Sequence, residues 1–243
     1  MEMKRKQKHI SLRCTNQGFT MIELLVAMVV SLLAMAAIYS TFLAQHRSYQ
    51  VQNESAEMQQ NIRAAMFYMQ REIRMAGSNP FKSLPLSAFG ITAAGQNSIT
   101  FTEDVRSLIP PAVGSPDGFV NVNNVPDEDI TYTLNGTNLD RTDNNANGGL
   151  GDTQTVAQNI DWLDFVYLDG TGVPTAILAN IRSVEITIVA RTTDPLLYGS
   201  QNNKVYPNQQ PLLSAARRTF GPAGDNVSRR RLTTKIYCRN LDL

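Results

Sequence analysis

The chain is short of nearly everything from which a catalytic centre is built. It has two histidines, His9 and His46, two cysteines, Cys14 and Cys238, and one tryptophan. His46 stands beside Arg47 with no serine or cysteine in a nucleophile pattern, which argues against a hydrolase triad. A CxxC pair, a glycine-rich phosphate loop and an HExxH motif are all missing, so zinc, nucleotide and metalloprotease chemistry have no sequence support. Cys14 lies in a basic N-terminal segment; without that segment no internal disulfide can form. Cys238 falls on the same strand face as Leu232 and Ile236 and reads as a small buried hydrophobe.

Glycine and proline are absent from Phe19 to Ala76, so nothing in that interval obliges a helix to stop. From Phe19 to Ala44 charge is missing as well, with one exception: Glu23. Such an apolar stretch is long enough to cross a bilayer as a helix. A carboxylate within it costs on the order of 2.5–3.5 kcal/mol on insertion scales and marks a functional position. One continuous helix over 19–77 would run about 85–90 Å. Its first half (19–44) is expected to span a membrane, and its second half must stand outside. There Val51, Met58, Ile62, Ala65, Met69, Ile73 and Ala76 form an apolar stripe, with Arg63, Arg71 and Arg74 on other faces. Gly77-Ser78-Asn79-Pro80 supplies a stop.

Charge is unevenly divided. Residues 1–18 hold five of the 22 basic side chains and one of the 21 acidic ones, so the remainder is net −3. A nucleic-acid-coating surface is not expected of that remainder. The first 18 residues read as a leader. Ala34-Met35-Ala36 offers an ordinary signal-cleavage site, but cutting there would discard the apolar helix and leave its polar half alone.

Beyond Pro80 the period changes from helical to alternating. Ile99/Phe101, Ile130/Tyr132/Leu134, Leu163/Phe165/Tyr167, Val184/Ile186/Ile188 and Leu232/Thr234/Ile236/Cys238 each place every second residue on one face. These runs predict an antiparallel sheet covered on one side by the helix stripe. The stretches from Asp140 to Asp152 and from Pro195 to Arg229 read as polar surface loops, and Arg229-Arg230-Arg231 as a solvated strand start. The fold class is α+β: a long N-terminal helix, membrane-spanning then amphipathic, packed on an antiparallel head at 78–243.

The run Gly18-Phe19-Thr20-Met21-Ile22-Glu23-Leu24-Leu25-Val26 closely resembles the processing and methylation motif of type IV prepilins and type II secretion pseudopilins. The resemblance implies a pilin-like fold and cleavage after Gly18 by prepilin peptidase. It also implies methylation of the new Phe19 amine, and pairing of Glu23 with the Phe19 ammonium of a neighbouring subunit during assembly. Implied partners are that peptidase, other minor and major pilins, and inner-membrane lipid. The implied location is the inner membrane, as a single-pass protein, and then a surface pilus. Met69-Gln70-Arg71-Glu72-Ile73-Arg74-Met75-Ala76-Gly77, the segment from Val156 to Tyr167, Ile181-Arg182-Ser183-Val184-Glu185-Ile186 and Arg239-Asn240-Leu241 resemble minor pilins of the PilW family. The J-type pseudopilin of type II secretion and a membrane-anchored binding module outside any filament are the alternatives. None of these readings is enzymatic.

One metal pattern stands out. Asp143-Asn144-Asn145-Ala146-Asn147-Gly148 has the opening of a calcium loop, with Asp143, Asn145 and Asn147 as candidate ligands and Asp152 as a further one. Gln154 occupies the closing position, where a bidentate carboxylate belongs. An Asn/Gly-rich polar turn produces the same letters. No other cofactor is expected.

Overall fold

The computed structural model describes residues 18–80, 89–105, 127–146, 150–193, 203–221 and 223–241. They divide into two compact units that meet between Gln50 and Val51. A single helix, α1 (Met21–Met75), supplies almost all of the described part of the first unit and continues into the second. Its apolar N-terminal part is fully exposed in the isolated chain and is long and apolar enough to cross a membrane. The hydroxyls in this part are satisfied locally. Ser31 Oγ donates to the Ala27 carbonyl at 2.6 Å, and Ser40 and Thr41 donate to that of Ala37. This back-bonding is how such side chains are tolerated in an apolar helix.

In the second unit α1 buries Met58, Ile62, Ala65, Met66, Met69 and Ile73, while Arg63, Arg71 and Arg74 stay exposed. The predicted stripe is therefore present with two changes: Met66 joins it, and Val51 stays exposed. The helix stops as its sequence dictates. Gly77 takes the left-handed conformation (φ 81°), and its N–H bonds the Thr102 carbonyl at 2.9 Å.

A five-stranded antiparallel meander follows, formed by β1 (Gly90–Ala94), β2 (Ser98–Thr102), β3 (Asp129–Asn135), β4 (Asn138–Asp143) and β5 (Asp152–Ala157). A second sheet has the order β10-β7-β6, from β6 (Ile160–Leu168), β7 (Ser183–Arg191) and β10 (Arg229–Tyr237). β8 (Tyr206–Pro207) and β9 (Thr219–Phe220) make a small ribbon. The inner faces of both large sheets and the α1 stripe share one core that includes Phe101, Tyr132, Leu163, Phe165 and Ile186. Tyr167 ties the sheets together, its hydroxyl donating to the carbonyls of Gly95 and Ser98. Cys238 is buried in this core, as its strand face implied.

Two sequence expectations need correcting. The stretch 140–152 is not one loop, because β4 runs to Asp143 and β5 begins at Asp152. β4 escapes an alternation test because Leu139 is the one apolar residue on its inward face, the next positions being Arg141, whose charge is neutralised by Glu72, and Asp143. Nor is Arg229 solvated. Its side chain is 3% exposed and ion-pairs with Asp161 and Asp225, whereas Arg230 and Arg231 remain exposed. Within the second expected loop the described residues hold β8, β9 and a helical turn at Ala215–Arg218; residues 194–202 lie outside those described.

Candidate functional site

The leader through residue 17 lies outside the described residues, so the structure begins at the proposed cut. Gly18 and Phe19 precede the helix, and Phe19 is 90% exposed. A Cβ built on Gly18 meets nothing within 4 Å. The fold itself therefore has no steric need for glycine there.

Helix α1 begins immediately after, and its start is capped from within. Thr20-Met21-Ile22-Glu23 is a capping box: the Glu23 backbone N–H donates to Thr20 Oγ1, and the Thr20 backbone N–H donates to Glu23 Oε2 at 3.0 Å. The Thr20 hydroxyl adds a bond to the same oxygen at 2.8 Å. The carboxylate also sits in the first turn, where the helix dipole favours negative charge. Sequence reasoning treated Glu23 as a costly charge and an assembly contact, and missed it as a helix cap. The signal for the cap, a threonine three residues before a glutamate at the head of an apolar run, was in plain view. All three bonds use Glu23 Oε2 or the backbone, and Oε1 makes none of them.

The candidate calcium residues are separated in character. Asp143 is buried and already accepts backbone N–H bonds, from Asp127 at 2.7 Å and from Asn145 at 3.0 Å. Asp152 is exposed and accepts from the Gln154 side chain. Asn145 is buried, and Asn147 lies outside the described residues. Among the described residues no group of three or more His, Cys, Asp or Glu side chains is placed to hold a metal.

A groove of about 770 Å³ beside the end of α1 is lined by Phe67, Arg71, Arg74, Glu72, Glu103 and Arg141, among others. Its central charges are spent on one another. Arg141 Nε donates to both oxygens of Glu72, its Nη2 reaches Asp127 at 2.9 Å, and the Tyr132 hydroxyl donates to Glu72 at 2.6 Å. Burial, and then the Glu72 charge, push Tyr132 up and keep it a donor. Burial also pushes Glu103 up to about 8, with the Glu72 charge adding to it. The cluster ties α1 to β3 and β4; it offers neither an activated nucleophile nor an opposed acid–base pair.

Residues 13–39 match the family described as the prokaryotic N-terminal methylation motif. No curated protein sequence matches the chain. Among solved structures, a type IV-like pilin from Thermus thermophilus aligns with a TM-score of 0.50 at 13% identity, covering 75% of this chain and 96% of that one. At that identity the likeness concerns the fold. The capped apolar helix and the antiparallel sheets give this chain a type IV pilin-like fold, and its N-terminal end carries the prokaryotic N-terminal methylation motif.

Proposed function

We propose that the chain is a minor pilin of a type IV pilus, close to the PilW type, acting in pilus initiation or at the tip. Prepilin peptidase cuts after Gly18, Phe19 becomes the methylated amino terminus, and α1 anchors the subunit in the inner membrane before packing into a filament with other pilins. The carrying observation is the arrangement at 18–23: an exposed, non-helical Gly18-Phe19 followed by a box that holds the Glu23 carboxylate at the head of the helix. With Oε2 engaged by Thr20, Oε1 is left to receive the Phe19 ammonium of a neighbour, so the cap and the intersubunit pair coexist. In a low-dielectric bundle that cation offsets the cost of the buried carboxylate.

Comparing Glu23→Gln with Glu23→Ala separates the two roles, because glutamine at this position still closes a capping box while carrying no charge. Both variants are expected to insert in the membrane and to be depleted from sheared filaments at least about tenfold, the scale of one lost charge-assisted bond. Normal incorporation of Glu23→Gln would leave the carboxylate a helix cap and nothing more. Calcium at Asp143 is a subsidiary proposal, tested by whether Asp143→Ala loses stability only when calcium is present.

A further inference from the structure

The exposed face at the end of α1 carries charge that the head leaves uncompensated. Arg71 and Arg74 stand three residues apart, a spacing that sets two like charges side by side on a helix. No residue three or four positions from either one is acidic. Among the described residues neither guanidinium forms an ion pair or a hydrogen bond. Phe67, Tyr68 and Met75, each three or four positions from Arg71, share this face and are exposed as well.

These five side chains form the helix wall of the groove of about 770 Å³, and Glu103, just past the end of β2, lines it from the sheet. Glu103 is buried, and its Oε2 has no hydrogen-bond partner. Leaving a buried polar atom unpaired is costly, so this oxygen stands ready for a ligand group that enters the groove. The charged groups facing it are Arg71 and Glu72 from α1, with Asp127 and Arg141 from the β3–β4 side. Burial, and then the Glu72 charge, push it up to about 8, so at neutral pH it is an uncharged acid with a proton to donate. Glu72 and Asp127 are both paired to Arg141, and the lining as a whole therefore carries one positive charge in excess.

We propose that this groove docks an acidic segment of a partner protein, one in which a carboxylate side chain adjoins an apolar one. The carboxylate is received by Arg71 and Arg74 and accepts a hydrogen bond from Glu103, while its apolar neighbour lies against Phe67, Tyr68 and Met75. The form of the groove favours a chain segment over a small molecule. Small-ligand sites enclose most of their ligand, whereas the rings and the thioether of this wall stay open to water. Charge favours a peptide over a nucleic acid, whose phosphates would meet Glu72 and Asp127 and find two unpaired cations where a row of them is needed. A contact confined to one helix end is weak by itself. It depends on the head alone, and its failure would leave processing and the role of Glu23 untouched.

The test is fluorescence anisotropy of a labelled, end-blocked Phe-Glu-Leu-Asp peptide titrated with the full chain in lipid nanodiscs. Arg71→Ala combined with Arg74→Ala is expected to weaken binding at least about tenfold, the scale of one lost charge-assisted bond. The same charge removed from exposed positions on β10, by Arg230→Ala with Lys235→Ala, should leave the affinity within about twofold. Raising the pH from about 7 to about 9 should weaken the wild type at least about threefold, because Glu103 ionises beside the bound carboxylate. Glu103→Gln, held in the uncharged form, should bind equally at both. Unchanged affinity without Arg71 and Arg74 would overturn the proposal. So would equal binding of a Phe-Gln-Leu-Asn peptide, tighter binding of a thymidine oligonucleotide, or a pH response shared by the wild type and Glu103→Gln.

Discussion

Single side chains in this protein carry more than one duty, and Glu103 shows how that reads in solution. It is 5% exposed, and its Oε2 has no hydrogen-bond partner. With its pKa raised from 4.5 to about 8, the folded state keeps the proton that the unfolded chain releases. Below about pH 4.5 both states are protonated and the residue costs nothing. Between about 4.5 and 8 stability falls as pH rises, by up to about 1.4 kcal/mol per pH unit, and above 8 the penalty is constant. Glu103→Gln, which mimics the protonated form, is expected to match wild type in thermal unfolding at pH 4.5 and to exceed it at pH 9. Arg141 is the converse case. Arg141→Ala removes the guanidinium that pairs with both Glu72 and Asp127 and should cost on the order of 3 kcal/mol, measured by urea unfolding at pH 7. The letters around Arg141 gave no hint of this, because its partner Glu72 lies 69 residues away and reads as an ordinary polar helix position.

Secondary-structure elements were legible to the extent that their burial is one-sided. α1 could be delimited to within two residues because no Gly or Pro interrupts it and Gly77 ends it. β2, β3, β6 and β7 announced themselves through alternating large apolar residues whose inward members are fully buried. β1 did not, since Gly-Ile-Thr-Ala-Ala holds a single large apolar residue, nor did β4 and β5, where Thr, Asp, Asn, Gln and Arg predominate and the Thr142–Thr153 hydroxyl pair links the strands. The stripe on α1 makes a direct prediction. Met69, fully buried, should cost about 2–5 kcal/mol when cut to alanine, while Phe67, 63% exposed two residues earlier, should change stability by less than about 0.5 kcal/mol. Equal losses at the two positions would mean that the helix is rotated from the face described. The end of the helix depends on the far end of the chain. Asn240 Nδ2 donates to the Met75 carbonyl at 3.1 Å, and Leu241 lies where a Cβ on Gly77 or Gly90 would come within 3 Å of it. Those glycines thus serve both a left-handed backbone and a close approach. Asn240 and Leu241 thereby close an open helix end.

At the scale of the whole molecule, two kinds of sequence signal divide the labour. Among the described residues the apolar, capped N-terminal half of α1 is unburied, and it is long and apolar enough to cross a membrane. The amphipathic half belongs to a head whose core is already complete within the chain. The proposed processing would connect them, because a cut after Gly18 would remove most of the local positive charge and create a cation for the Glu23 carboxylate. The central claim is therefore settled at a single peptide bond. The intact mass of the protein purified from membranes of cells that possess the peptidase should correspond to a chain beginning at Phe19, heavier by one methyl group. A chain that retains residues 1–18, or one that begins after Ala36, would contradict the account.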